Sequence, residues 1–258
     1  MRRAGRARGD AGATGRYLIV AAQAPLRVGL IVPPLHGSVP PDASAMYPDV
    51  VFDVEGLGVR ALDEAGYEEA VGRVGTAAAA LAARGAGSVL LFGTSLSFFR
   101  GPSFNDELEH VMRTASGLPA GTLTTGLSQA LRCIGAPSIA AATAYTRDVD
   151  LMFADYFGAC GFKVDHVDGL GITSLAEVEG VAPSRIAQLA RNVARSAPQA
   201  GAIVLSCAGL RTWEICPQIE AELGKPVLSS AMVGSWAAVR LAGHSGVAPG
   251  MGKLYERE

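Results

Sequence analysis

Charged side chains are scarce in this chain of 258 residues, since Asp, Glu, Lys and Arg together make up 18% of it. The formal net charge is only -2, so the protein lacks the positive field that attracts a phosphate backbone. The one exception is a basic cluster near the N-terminus that consists of Arg2, Arg3, Arg6, Arg8 and Arg16. We therefore expect no nucleic-acid partner.

Long apolar runs are also missing. The longest uncharged stretch, residues 114–131, is interrupted by Pro119 and three glycines, whereas a membrane span needs about 20 mostly apolar residues. We expect no membrane helix. Residues 1–25 combine an Arg-rich start with a short apolar run at 17–24, which has the outline of a secretory signal. We interpret this segment as a disordered N-terminal extension, with export as the alternative.

Cysteine is sparse and irregularly spaced. The four cysteines, Cys133, Cys160, Cys207 and Cys216, form no CxxC motif and have no paired histidines beside them. This pattern favours neither a zinc site nor a disulfide framework. It is typical of free thiols in a reducing compartment, so we expect a cytoplasmic protein.

The sequence contains an internal repeat. Residues 54–59 resemble 167–172, residues 89–96 resemble 203–210, residues 28–33 resemble 139–144, and Pro119 matches Pro226, at offsets of 107 to 114 residues. Each repeated segment is a short apolar run that ends in small or polar residues, which is typical of a buried parallel strand followed by a loop. Four strands are thus predicted twice in the same order.

Helices are predicted between these strands. We expect helices at 63–83, 146–161, 184–197, 217–224 and 235–242, and a further helix that begins with a capping box at 103–106. The alternation predicts an α/β fold of two pseudo-symmetric domains, each with a mostly parallel, roughly four-stranded sheet flanked by helices. We assign residues 26–132 plus 232–258 to the first domain and 133–231 to the second. The active site is expected in the cleft between them.

The predicted carboxyl ends of the strands lack Asp, Glu, Lys, Arg and His. These ends are Pro33-Pro34 and residues 93–95, 143–145 and 206–209. Because these ends contain no lysine, no cluster of carboxylates, no GxGxxG motif and no P-loop, we expect no metal and no cofactor. The groups that remain are hydroxyls, amides and the Cys207 thiol. Such groups suit an anion held by neutral donors, although they also serve as turn and cap residues. The side chains of His36, Arg100, Arg147 and Arg211 follow these ends, and we interpret them as solvated.

Five segments together resemble the arylmalonate decarboxylase family of the aspartate/glutamate racemase superfamily. They are 30–34, 93–98, 142–145, 169–173 and 205–210, and the resemblance covers residues 26–258 in order. Most members of the superfamily are racemases or isomerases with two opposed cysteines. Here the internal repeat aligns Cys207 with Gly93, so the second cysteine position is Gly93, and this favours the decarboxylase branch.

The resemblance implies a role for each residue of the site. Cys207 would be the catalytic proton donor. The hole that binds the dioxyanion would comprise Thr94, Ser95, Tyr145, Ala208 and Gly209, and Pro33 and Pro34 would contact the aryl group. A hydrophobic pocket would be formed by Val59, Leu62, Leu96, Leu175 and Val178. Ala208 stands where the family usually has glycine, and Val178 is smaller than the family's usual residue.

The activity implied is cofactor-independent decarboxylation of disubstituted aryl or alkenyl malonates to optically enriched monocarboxylic acids. The expected partner is the small malonate substrate, and the expected state is a monomer. Two alternatives stay open from the sequence. One is a maleate isomerase-like or racemase-like enzyme of the same superfamily, and the other is a catalytically silent carboxylate-binding protein.

Overall fold

Two separate parallel sheets form the centre of the protein. The structure is a computed structural model and describes residues 25–59 and 61–256. The first sheet has the order β2-β1-β3-β4, with β1 (Arg27–Val32), β2 (Val51–Gly56), β3 (Val89–Leu91) and β4 (Ala120–Thr122). The second has the order β6-β5-β7-β8, with β5 (Ser138–Thr143), β6 (Lys163–Gly169), β7 (Ala202–Ser206) and β8 (Val227–Ser229). The predicted α/β fold with two equivalent four-stranded sheets is confirmed.

The central strands are apolar on both faces. Leu30 and Ile31 in β1, and Val204 and Leu205 in β7, are all fully buried although neighbouring side chains point to opposite sides of a sheet. Helices must therefore cover both faces, which is why these strands show continuous apolar runs rather than alternation.

Eleven α-helices and one short 3₁₀ helix surround the two sheets within the described residues. Those that precede β5 are α1 (Pro41–Met46), α2 (Glu64–Val71), α3 (Val74–Ala83), α4 (Thr94–Phe98), α5 (Pro102–Ser116) and α6 (Leu123–Cys133). Those that follow are α7 (Arg147–Ala159), α8 (Leu175–Glu179), α9 (Pro183–Ser196), α10 (Cys216–Leu223) and α11 (Ser230–Leu241), with a 3₁₀ helix at Lys253–Glu256.

Three predicted helices differ from the structure. The predicted helix at 63–83 is divided into α2 and α3 at Gly72, where a residue of low helix propensity ends the first segment. The prediction of a capping box at 103–106 is wrong, because α5 already begins at Pro102, directly after Gly101. Helix α11 begins five residues before the predicted start, since Ser229 ends β8 and at once caps the helix by accepting a hydrogen bond from the Met232 amide.

Helix α11 packs on the first sheet and on α6. The two helices approach closely at Gly126, where an added Cβ would lie only 2.8 Å from the Ala237 Cβ. The domain boundaries at 132/133 and 231/232 stay a prediction. Of the predicted N-terminal extension, residues 1–24 lie outside the described residues. Among the helices that the structure does describe, none has the length and apolar character to cross a membrane.

Hydrogen bonds join the two halves beside the carboxyl ends of their strands. The Leu62 amide, before α2, donates to the Thr173 carbonyl, before α8, at 3.1 Å. The Thr212 hydroxyl, after β7, donates to the Asp42 carboxylate in α1 at 2.7 Å. These contacts hold the loops of both halves around a common cavity.

Candidate active site

A cavity of about 310 Å³ lies between the carboxyl ends of β1 and β3 in the first sheet and β5 and β7 in the second. This volume is at the lower end of the range for small-molecule sites. Twelve of the predicted site residues line it: Cys207, Thr94, Ser95, Tyr145, Ala208, Gly209, Gly93, Pro33, Pro34, Leu62, Leu175 and Val178. The structure thus brings together residues that are up to 176 positions apart in the chain.

Two predicted pocket residues lie behind the wall rather than on it. Val59 is buried, and its amide donates to the Pro33 carbonyl at 2.8 Å. Leu96 is buried against Gly93. Both side chains therefore support the lining from the protein core.

Cys207 is the residue that follows β7, and its backbone is unusual. Its φ of 146° makes it the one residue other than glycine with a positive φ in the described part of the chain. The position is fixed by the Ser230 hydroxyl, which accepts from the Cys207 amide at 3.4 Å, and by the Cys207 carbonyl, which accepts from the Leu210 amide at 3.2 Å. Such backbone strain costs of order 1–3 kcal/mol and is typical of functional sites.

We expect Cys207→Gly to be more stable than Cys207→Ala by about 1 kcal/mol, because glycine relieves the backbone strain that alanine keeps. Both variants lack the thiol, so the difference between them isolates the backbone. Urea unfolding of the two proteins measures it. Equal free energies of unfolding would show that position 207 carries no strain.

The Cys207 thiol is buried, and burial raises its pKa to about 11, an effect that the Gly209 amide partly opposes. At neutral pH the thiol is therefore protonated. A neutral thiol is suited to donate a proton and poorly suited to remove one.

Gly93 occupies the equivalent position after β3 and presents no side chain to the cavity. An added Cβ would lie 2.7 Å from the Leu96 Cδ1 atom, so a larger residue requires Leu96 to shift. The two equivalent sites of the repeat are thus chemically unequal, with a thiol on one side and a hydrogen atom on the other.

Thr94 and Tyr145 supply buried hydroxyl groups to the cavity. The Thr94 hydroxyl makes no hydrogen bond of good geometry among residues 25–59 and 61–256, although the residue is only 2% exposed and the Tyr145 hydroxyl lies close to it. The Thr94 carbonyl is held by the Thr124 hydroxyl at 3.0 Å. The Tyr145 hydroxyl lies 3.3 Å from the Ser206 hydroxyl, and burial holds its pKa well above the ordinary value. Both hydroxyls are neutral donors available to a bound anion.

Sequence comparison agrees with this geometry. The family model described as arylmalonate decarboxylase matches residues 28–255. The arylmalonate decarboxylase of Bordetella bronchiseptica is 40% identical over 230 residues, which are 89% of this chain and 96% of that protein. The chain belongs to the arylmalonate decarboxylase family. It is accordingly an enzyme of the carboxy-lyase class.

Solved structures support the same family. A liganded double mutant of arylmalonate decarboxylase superposes with a TM-score of 0.88 at 38% identity, covering 90% of this chain and 99% of that one. The maleate isomerase Iso from Pseudomonas putida S16 has a TM-score of 0.84 at 19% identity, covering 89% and 98% of the two chains. This second similarity shows that the two proteins share the fold.

In this member of the arylmalonate decarboxylase family, the cavity also receives ionisable side chains that the strand ends do not supply. They are His36, Asp42, Glu179 and Arg211. His36 and Arg211 are exposed, as expected, but they also line the cavity, so their interpretation as merely solvated is incomplete. The position of Arg211, two residues after Gly209, is the one signal in the sequence that points to it.

Asp42, which lines the cavity, and Tyr67, which is buried close to Ser95 behind the lining, carry no sequence signal. Asp42 is buried in α1, and burial raises its pKa although Thr212 donates two hydrogen bonds to it. Tyr67 lies inside α2, is fully buried, and its hydroxyl has no hydrogen-bond partner within the described residues. Burial raises the pKa of Tyr67, the nearby Ser95 hydroxyl opposes the shift, and the Cys207 thiol adds to it.

The side chains that line the cavity can also be compared with the set of ligands that a metal ion requires. Across the described residues, no group of three or more His, Cys, Asp or Glu side chains is arranged to hold a metal ion. The polar groups near Cys207 are instead hydroxyls and amides.

Proposed function

We propose that the protein decarboxylates disubstituted malonates that carry an aryl or alkenyl group, without a cofactor, and forms optically enriched monocarboxylic acids. The observation that carries this proposal is the pairing of one neutral thiol, Cys207, with an unpartnered buried hydroxyl, Thr94, in one cavity. On the other side of the repeat, Gly93 offers no second thiol. Family membership supports the same reaction class.

One carboxylate of the substrate would be held by neutral donors. The hydroxyls of Thr94, Ser95 and Tyr145 line the cavity, and the backbone of Ala208 and Gly209 borders it. Hydrogen bonds to a charged group contribute about 1.5–3 kcal/mol each, so several together would bind a carboxylate and stabilise the enediolate formed from it.

The second carboxylate would lie against apolar side chains. Leu62, Leu175 and Val178 form an apolar portion of the lining, with Val59 and Leu96 behind the wall. Removing a carboxylate from water costs several kcal/mol. Because loss of CO₂ removes the charge, this cost favours the reaction.

The bond between the α-carbon and this second carboxylate would break, and its electron pair would remain on the enediolate as CO₂ leaves. The Cys207 S–H bond would then break as its proton passes to the α-carbon. The resulting thiolate regains a proton from water. Protonation from one side only would give an optically enriched acid, and the flat substituent would lie near Pro33, Pro34 and Gly209, where Ala208 narrows the space.

The pH dependence of kcat/KM tests the state of the thiol. Because the pKa of Cys207 is raised to about 11, the proton-donating form persists below that pH and is lost above it. We expect kcat/KM for phenylmalonate to show no loss attributable to the thiol until the pH approaches 11. Initial rates of CO₂ release measure this loss of kcat/KM at high pH. Circular dichroism at each pH is the control for folding. A decline near pH 8.5, the ordinary range of a thiol, would contradict the proposal.

The same thiol discriminates against reactions that begin with proton removal. Racemisation requires a thiolate as base, and the raised pKa of Cys207 disfavours it at neutral pH. Incubation with maleate, with fumarate as the product measured, and with an optically pure arylpropionate, with rotation measured, tests the isomerase and racemase alternatives on the same protein sample.

A further inference from the structure

The open end of the cavity carries charged groups that the proposed chemistry does not use. Glu179 and Arg211 both line the cavity and are exposed, whereas Cys207, Thr94 and Tyr145 are buried at its closed end. Of these groups, Arg211 is the cation, and its guanidinium is suited to bind a carboxylate through two hydrogen bonds.

The backbone of Arg211 is held in place on both sides. Leu210 is 2% exposed, and its amide donates a hydrogen bond to the Cys207 carbonyl. Thr212 is 1% exposed and donates hydrogen bonds to the Asp42 carboxylate. The Arg211 side chain is therefore presented from a fixed point, four residues after the thiol. A fixed backbone lowers the entropy lost when a ligand binds.

The Arg211 guanidinium makes no salt bridge with any carboxylate of residues 25–59 and 61–256. Other arginines differ. Arg84 is 2.7 Å from Glu55, and Arg191 is 2.8 Å from Glu222. The hydrogen-bond donors of Arg211 are thus open to a ligand in the cavity.

We propose that Arg211 is a specificity-determining residue that binds an anionic substituent on the far end of the substrate's flat group. The preferred substrates would be malonates whose aryl or alkenyl group itself carries an acidic group such as a carboxylate. This inference rests on the proposed function, because the malonate carboxylates must lie at the closed end near Thr94. The flat group then passes Gly209 toward the opening, where Arg211 follows in the chain.

Glu179 also lines the cavity and opposes the binding of an anion. Its repulsion is screened because the side chain is exposed, whereas a guanidinium can form two parallel hydrogen bonds with a carboxylate at contact distance. Arg211 therefore determines the preference, and Glu179 moderates it.

The test compares 4-carboxyphenylmalonate with phenylmalonate. We expect the ratio of their kcat/KM values to fall roughly tenfold in Arg211→Leu, and to rise about two- to threefold in Glu179→Gln. Arg195→Leu is the matched control. It removes the same charge at the C-terminal end of α9, outside the residues that line the cavity, and we expect it to leave the ratio unchanged. In the wild type, added salt lowers the ratio.

Binding of the two malonates to Cys207→Ser, with and without Arg211→Leu, separates this inference from the proposed function. Release of CO₂ from both acids with a ratio that Arg211→Leu does not change overturns the role of Arg211 alone. If the wild type releases CO₂ from neither acid, the proposed function is wrong. In that case an unchanged ratio of dissociation constants overturns the role of Arg211 as well, and a tenfold change supports it.

Discussion

Cys207→Ala is expected to lower kcat for phenylmalonate-type acids by about 10²- to 10⁴-fold, the range that a positioned proton donor contributes, because each turnover must wait for the enediolate to be protonated. The enediolate would still form in the cavity, but water would have to protonate it. Because water has no fixed side of approach, the residual product should lose its optical enrichment. Rates of CO₂ release and chiral chromatography of the acid measure both effects.

Cys216→Ala is the matched control for this substitution. Cys216 is also a buried cysteine, but it lies at the start of α10 and does not line the cavity. We expect it to keep both the rate and the optical enrichment. Wild-type activity in Cys207→Ala would contradict the proposed proton donor.

Thr94→Val is expected to reduce kcat by about 10²- to 10³-fold, the usual effect of removing one donor from an oxyanion hole. The same change should raise the free energy of unfolding of the unliganded protein. The Thr94 hydroxyl is buried without a partner within the described residues, and such a group costs about 1–3 kcal/mol. Lower activity together with higher stability identifies a group retained for its ligand.

Thr124→Val is the control for this second prediction. The Thr124 hydroxyl donates to the Thr94 carbonyl at 3.0 Å, so its loss should lower stability. If Thr94→Val were instead destabilised with an unchanged kcat, the Thr94 hydroxyl would have a structural role rather than one in catalysis.

Much of the fold could be predicted from the sequence, because the strands are buried on both faces. Continuous apolar runs such as the one at 203–205 have few other interpretations, and the repeat gives their order. The strand ends then indicated most of the cavity lining. Helix boundaries were less accurate where glycine or proline acts locally, as at Gly72 and Pro102.

The remaining residues of the site depend on tertiary packing. Asp42 lines the cavity, held by a hydrogen bond from Thr212 in the other half of the molecule, and Tyr67, inside a helix, is buried behind the lining near Ser95. Neither position is marked by its neighbours in the sequence. Val59 and Leu96 show the converse, since both are apolar residues close to lining positions whose side chains pack into the core.

The strained backbone of Cys207 sets folding stability against activity at a single residue. Glycine is the residue that its φ of 146° favours, and glycine has no proton to deliver. A laboratory selection for heat resistance alone would therefore favour replacement of Cys207, and the catalytic activity would be lost. Engineering for robustness should keep this residue fixed and seek its gains in the helices that cover the two sheets.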